Sequence, residues 1–133
     1  RLADEHVWWV SEFWTGEIGQ MSADARFTAY DVPPNGVRVL AVQPFNPEHP
    51  AFLGSNLHLS QGMEVVEWSV NKNEVQFSLD LGHAMDGKIF IYLPKRPAGA
   101  WIGDQTFMLE DRGRGIYSLY LEQVDGKEVV IKY

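Results

Sequence analysis

Apolar and polar residues alternate with a period of two along most of this chain. In residues 74–81 every second residue is apolar, and residues 64–70 repeat the pattern. Such alternation is typical of strands that bury one face. The segment Asn71-Lys72-Asn73 between the two runs supplies the residues that a tight hairpin turn requires. We therefore predict a hairpin here, with Trp68 in the core beside Val66 and Val70.

Further segments with alternating or continuous apolar residues predict that the whole chain is built from strands. No window of 12 residues keeps the apolar stripe of a helix, and turn signals recur at short intervals, which favours a sandwich or a barrel. The pair Asp125-Gly126 suits a two-residue type I′ turn, and Pro94 should end the strand before it. The remaining predicted strands are residues 24–32, 37–42, 88–93, 116–124 and 127–132.

Two segments do not fit a simple strand pattern, and a third superficially resembles a phosphate loop. Residues 43–58 contain three prolines, and we expect an extended loop that crosses from one sheet to another. Residues 95–104 predict a loop with a short strand or an aromatic plug around Trp101. Residues 112–115, Arg-Gly-Arg-Gly, lack the Lys-Ser/Thr pair of a phosphate loop and predict a hairpin turn.

The length of the chain limits the number of domains, and its charge limits the kinds of partner that it can bind. A chain of 133 residues suits one domain, residues 1–133, and the net charge of −7 opposes binding to nucleic acid or to an anionic membrane. The charge leaves neutral ligands such as sugars, or the surface of another protein, as possible binding partners. The absence of cysteine excludes disulfides and Cys-ligated zinc, and leaves the cellular location undetermined. Because the chain begins at Arg1 instead of Met, we expect a piece of a larger protein.

No catalytic, metal-binding or cofactor-binding pattern stands out. Most Asp and Glu residues fall on outward strand positions or in turns, whereas glycoside cleavage needs two converging carboxyl groups. Ser55 lacks the surroundings of a nucleophile elbow. The four histidines, His6, His49, His58 and His83, lack the close spacing of metal ligands, which leaves a three-His site built from distant loops as the alternative. The sequence therefore predicts a chain without catalytic residues, metal or cofactor.

Aromatic residues near the start form the most unusual feature. Trp8 and Trp14 alternate to one side of the predicted strand, and Trp9 and Phe13 to the other. A strand that is apolar on both faces is central in the fold, packs against another domain, or contacts a ligand. We treat these four residues as candidates for an interface. Because aromatic rings also stack on sugars, Trp101 and Tyr92 are weaker candidates for carbohydrate contacts.

The first half of the chain resembles a known family. Phe13-Trp14 is followed by residues 30–40, Tyr-Asp-Val-Pro-Pro-Asn-Gly-Val-Arg-Val-Leu, and by residues 49–62, which end in Leu-Gly-Ser-Asn-Leu-His-Leu-Ser-Gln-Gly. This order is similar to the C-terminal region of melibiase-type α-galactosidases and related glycoside hydrolases. Asn35 stands where that family often has His.

The resemblance implies an antiparallel two-sheet β-sandwich with Greek-key connections. It also implies that this sandwich packs on a catalytic (β/α)₈ barrel in the same polypeptide, which carries the catalytic carboxylates. The favoured hypothesis is a non-catalytic accessory domain that stabilises the barrel. The alternatives are a carbohydrate-binding module and a free-standing protein-interaction domain.

Overall fold

The computed structural model describes residues 7–13, 16–22, 40–57 and 65–133, and these ranges contain strands, turns and loops but no helix. The prediction of an all-β chain is confirmed. The strands in the described ranges are β1 (Trp8–Glu12), β2 (Ile18–Met21), β3 (Leu40–Pro44), β4 (Ala51–Ser55), β5 (Val65–Asn71), β6 (Glu74–Leu79), β7 (Met85–Tyr92), β8 (Gly99–Ile102), β9 (Gln105–Phe107), β10 (Glu110–Asp111), β11 (Ile116–Val124) and β12 (Glu128–Lys132).

The described strands form three antiparallel sheets. Sheet A has the order β2-β1-β3, sheet B the order β10-β11-β7-β4, and sheet C the order β5-β6-β12-β8-β9. The predicted hairpin between β5 and β6 is present, and so is the hairpin turn of residues 112–115 between β10 and β11. Strand β7 ends before Pro94, because proline has no N–H to donate to the ladder.

Sheet B is the middle layer of the fold. On β7, Ile89 and Ile91 belong to the main core with residues of sheet C, whereas Phe90 and Tyr92 pack with Trp9 of sheet A. Sheets B and C therefore form the sandwich that the sequence predicts, and sheet A adds a third layer on the outer face of sheet B. Burial on both faces explains why residues 88–93 contain so few polar side chains.

The chain crosses repeatedly between sheets B and C. Strand β12 lies between β6 and β8, and β7 lies between β4 and β11, so neighbours in space are often distant in sequence. Greek-key connections generate this kind of strand order. Each of the two sheets is therefore built from strands that are spread over the second half of the chain, and neither sheet is formed by one continuous segment.

The turn at Asp125-Gly126 does not close a hairpin, which corrects the prediction for this pair. Strand β11 belongs to sheet B and β12 to sheet C, so the turn connects two layers. The backbone N–H of Gly126 donates to the Leu79 carbonyl at 2.7 Å, and Asp125 Oδ1 accepts the N–H of Leu81 at 2.8 Å. These long-range bonds hold the turn against the end of β6 and direct the chain into sheet C.

Residues 43–58 contain a strand that the prediction of an extended loop missed. Strand β4 pairs with β7 in sheet B, while the chain before it belongs to sheet A, so the predicted crossing between sheets is present. The prolines lie at positions 44, 47 and 50, outside the β4 ladder. In residues 95–104 the short strand β8 is present, as one of the two predicted alternatives.

A bulge in β5 overturns the predicted position of Trp68. The register shifts between Val66 and Ser69, and Glu67 has a φ of 55°. The extra residue breaks the period of two, so Trp68 turns to the side of Phe77 instead of following Val66. Because β5 is the edge strand of sheet C, the Trp68 side chain stays 36% exposed instead of entering the core.

Some predicted features lie outside the described residues. They are the strand at residues 24–32, residues 37–39 of the next predicted strand, and the side chains of Trp14, His6 and His58.

Candidate interaction surfaces

Strand β1 is central in sheet A, which is the first of the three explanations for its apolar faces. It pairs with β2 on one side and β3 on the other. Trp9 is only 2% exposed and packs with Leu53, Tyr92 and Ile116 on the outer face of sheet B. Ser11 lies on the same face, and its hydroxyl donates to the Leu53 carbonyl at 2.6 Å. Trp9 therefore stabilises the stacking of sheet A on sheet B.

The other face of sheet A is partly open. Trp8 is half-buried there, and Val10 and Glu12 are buried. On the neighbouring strand β3, Leu40 is 45% exposed and Val42 is 48% exposed. The exposed apolar surface of this face therefore lies on β3, at the edge of the sheet, with the half-buried Trp8 beside it. Phe13 is half-buried just beyond the end of β1.

Tyr92 lies in an aromatic cluster between sheets A and B. Its ring centroid is 5.4 Å from that of Trp9 and 5.4 Å from that of Phe45, and its hydroxyl donates to the Pro47 carbonyl at 2.9 Å. The residue is 8% exposed, and burial raises the pKa of its phenol above 10.0 because the charged phenolate is poorly solvated there. A ring enclosed in this way offers no open face to a sugar, so we do not carry Tyr92 forward as a carbohydrate contact.

A Tyr92→Phe variant is expected to lose about 0.5–1.5 kcal/mol of unfolding free energy at neutral pH, because the bond to Pro47 disappears. Since the folded pKa lies above the unfolded value, this tyrosine favours folding fully below pH 10.0 and loses that contribution as pH rises through the folded pKa. The difference between wild type and variant should therefore shrink in urea titrations above pH 10.0.

Tyr120→Phe is the matched control, because the Tyr120 ring is exposed on β11. It should leave the unfolding free energy within about 0.5 kcal/mol of wild type. A difference between wild type and Tyr92→Phe that stays constant across the alkaline range would contradict the role given to burial.

A groove lies between β3, the β3–β4 loop and β5. It encloses about 480 Å³, and Val42, Phe52 and Trp68 supply much of its apolar wall. Gln43, Asn46 and His49 are its polar residues, and the Gln43 amide donates to the Phe52 carbonyl. None of the described residues that line it is Lys, Arg, Asp or Glu. The groove is therefore suited to an apolar or neutral surface.

Trp101 lies on β8 with its side chain on the outer face of sheet C. Ala100 and Ile102 point to the core, so the alternating Trp101 points away from it. The ring is half-buried, and the Lys132 Nζ lies 5.3 Å from its centroid. Of the predicted carbohydrate contacts, Trp101 thus keeps an accessible position.

The structure brings together no catalytic set of acids and bases among the described residues. His49 lies at the groove, and His83 is exposed in the loop between β6 and β7. No group of three or more His, Asp or Glu side chains in the described ranges could hold a metal ion. Those ranges also contain no helix with the length and hydropathy that a membrane crossing requires.

Sequence reasoning missed the groove, because its residues come from separate strands. The bulge that turns Trp68 toward it leaves no mark in the alternation pattern. The only signal was the density of prolines in residues 43–58, which marks the β3–β4 loop that forms one wall.

No family model matches this chain, and a search of curated proteins finds no significant match. The resemblance of residues 13–62 to glycoside hydrolases therefore stays a prediction.

Proposed function

We propose that this chain is a non-catalytic accessory domain that packs against the catalytic (β/α)₈ barrel of an α-galactosidase-like glycoside hydrolase in the same polypeptide. The contact surface is the apolar rim made by Leu40 and Val42 on β3 and by Trp68 and Val70 on β5. We call this the β3–β5 rim. Its role is to stabilise the barrel.

The distribution of exposed apolar side chains carries this proposal. Seven large hydrophobic residues are exposed in the described ranges, and four of them form this rim on the edge strands β3 and β5. Val42 and Trp68 line the same groove, so the two edges border one surface. Edge strands of soluble domains usually carry charges that block association, and apolar patches mark contact surfaces. A covering partner is the simplest explanation for this concentration.

The chemistry of the groove also favours packing over hydrolysis. Glycoside cleavage needs two carboxyl groups placed about 5–9.5 Å apart across the scissile bond. The described lining of the groove contains none, and its polar atoms belong to amides and one imidazole. Catalytic acids would have to come from another part of the polypeptide.

The coding sequence upstream of Arg1 gives the first test, and it should encode a (β/α)₈ barrel. In the full polypeptide, Val42→Glu should place a carboxylate in the contact and speed thermal inactivation of the hydrolase by about tenfold, equivalent to about 1.4 kcal/mol of barrier. The measurement is residual glycosidase activity after timed heating.

Met108→Glu is the matched control, because Met108 is 92% exposed and lies away from the β3–β5 rim. It should leave the inactivation rate within about twofold of wild type. The proposal fails if the upstream sequence encodes no barrel, or if both variants inactivate at the wild-type rate.

A further inference from the structure

The indole of Trp101 lies flat on the outer face of sheet C because residue 99 is glycine. A Cβ added at Gly99 would stand 3.0, 3.3 and 3.4 Å from three carbons of the six-membered indole ring. A larger residue would lift the ring off the sheet, since such distances are shorter than ordinary van der Waals contact. Gly99 and Trp101 are two residues apart on one strand and therefore share this face. The pair makes a planar aromatic surface that is backed by the main chain.

Side chains with both hydrogen-bond donors and acceptors surround this ring. An open groove of about 520 Å³ beside Trp101 is lined by Gln105, Lys127 and Glu128, together with Val130. The strand register places Thr106 and Val130 directly opposite Trp101 on the same face. These groups can donate to and accept from hydroxyls within reach of an aromatic plane.

The charges around the ring balance. Lys127 and Lys132 are offset by Glu128 and by Glu74, which is paired with Lys132 across β12 and β6. A site without net charge favours a neutral ligand over an anion or a cation. The ligand must also offer an apolar face to the ring and hydroxyls to its surroundings.

We propose that the outer face of sheet C around Trp101 binds a neutral sugar residue of an oligosaccharide. The C–H face of a pyranose stacks on the outward face of the indole in place of the Lys132 ammonium, which lies 5.3 Å from the ring centroid. The sugar hydroxyls bind Glu128 and Lys127 in the adjoining groove. This site is separate from the β3–β5 rim, because Trp68 contacts Phe77 on the inner side of sheet C whereas Trp101 lies on the outer side. Sugar binding here is therefore compatible with packing on a barrel.

Two-dimensional NMR of the ¹⁵N-labelled chain tests the proposal directly. The indole N–H signal of Trp101, assigned by its loss in Trp101→Ala, is followed during titration with galacto-, cello- and manno-oligosaccharides. With at least one of the three it should shift saturably, with a dissociation constant on the order of 1 mM. Trp101→Ala should weaken binding by about tenfold or more, as read from the backbone signals of Thr106 and Val130.

Gly99→Val keeps the indole but displaces it from the sheet, so it separates ring orientation from ring presence. We expect it to weaken binding by about fivefold, with the overall spectrum of a folded protein retained. Trp68→Ala is the matched control and should bind within about twofold of wild type.

Three outcomes would overturn the sugar site. The first is an unshifted Trp101 signal up to about 20 mM of every oligosaccharide. The second is a saturable shift of the backbone signals that disappears in Trp68→Ala and persists in Trp101→Ala. The third is a Trp101 shift that depends on protein concentration without sugar, which would assign this face to a second copy of the chain. The first and third results do not bear on whether the β3–β5 rim packs on a barrel, whereas the second would move the sugar to the groove beside Trp68 and so count against the rim as a packing surface.

Discussion

A Phe77→Ala variant is expected to unfold with a free energy about 3–5 kcal/mol below that of wild type. Phe77 is fully buried on β6, where its ring meets Phe52 of sheet B edge-on at 6.0 Å. The Trp68 ring lies 5.4 Å from the Phe77 ring at an interplanar angle of 30°. Truncation would leave a cavity between sheets B and C and would remove the support beneath Trp68. Urea denaturation followed by far-ultraviolet circular dichroism measures the loss.

Met108→Ala provides the comparison for this experiment, because the Met108 side chain is almost fully exposed. It should change the unfolding free energy by less than about 0.5 kcal/mol. A loss below about 1 kcal/mol for Phe77→Ala would mean that the two sheets do not share one well-packed core.

A Gly115→Ala variant should lose about 2–4 kcal/mol of unfolding free energy, because two penalties coincide at this position. The backbone φ of Gly115 is 77°, in the left-handed region that alanine adopts unfavourably. A Cβ there would also stand 2.6 Å from Cε2 of Tyr92 and 3.1 Å from the Leu93 carbonyl oxygen. Tyr92 is held in the cluster with Trp9 and Phe45, so its ring has little room to move.

Gly113→Ala separates the two penalties within the same hairpin turn. Its φ is 84°, but nothing lies within 4 Å of the added Cβ. The loss in urea denaturation should therefore be about 1 kcal/mol, from backbone strain alone. Equal losses for the two variants would show that crowding against Tyr92 contributes nothing.

The alternation of side chains was enough to predict an all-β chain that forms a sandwich or a barrel, because burial of one face imposes a period of two on each strand; the choice of a sandwich came from the family resemblance. Residues 74–81 illustrate this, since Val75, Phe77 and Leu79 are all fully buried as the pattern requires. The position of Trp68 could not be predicted, because one residue with a positive φ, Glu67, changes which neighbours share a face. A local pattern contains no information on such a bulge until the partner strand is known.

Contacts between residues that are distant in sequence determined two features that the local pattern could not predict. Asp125-Gly126 has the composition of a hairpin turn, yet its bonds to Leu79 and Leu81 send the next strand to another sheet. Both Tyr92 and Trp101 were candidates for carbohydrate contacts, with Trp101 favoured because its segment resembles a loop. The third layer covers Tyr92 and leaves the outer face of sheet C uncovered at Trp101, and the period of two does not specify a third layer.

The bulge at Glu67 also affects whether two copies of this chain can associate through the edge strand β5. A straight outer strand with valines and a tryptophan would offer a continuous row of main-chain donors and acceptors on which a second molecule could extend the sheet. The shift between Val66 and Ser69 interrupts that row in the middle of the strand. The exposed side chains of β5 can therefore meet a partner surface through their apolar groups, while fibril-like growth along the sheet is opposed by the backbone itself.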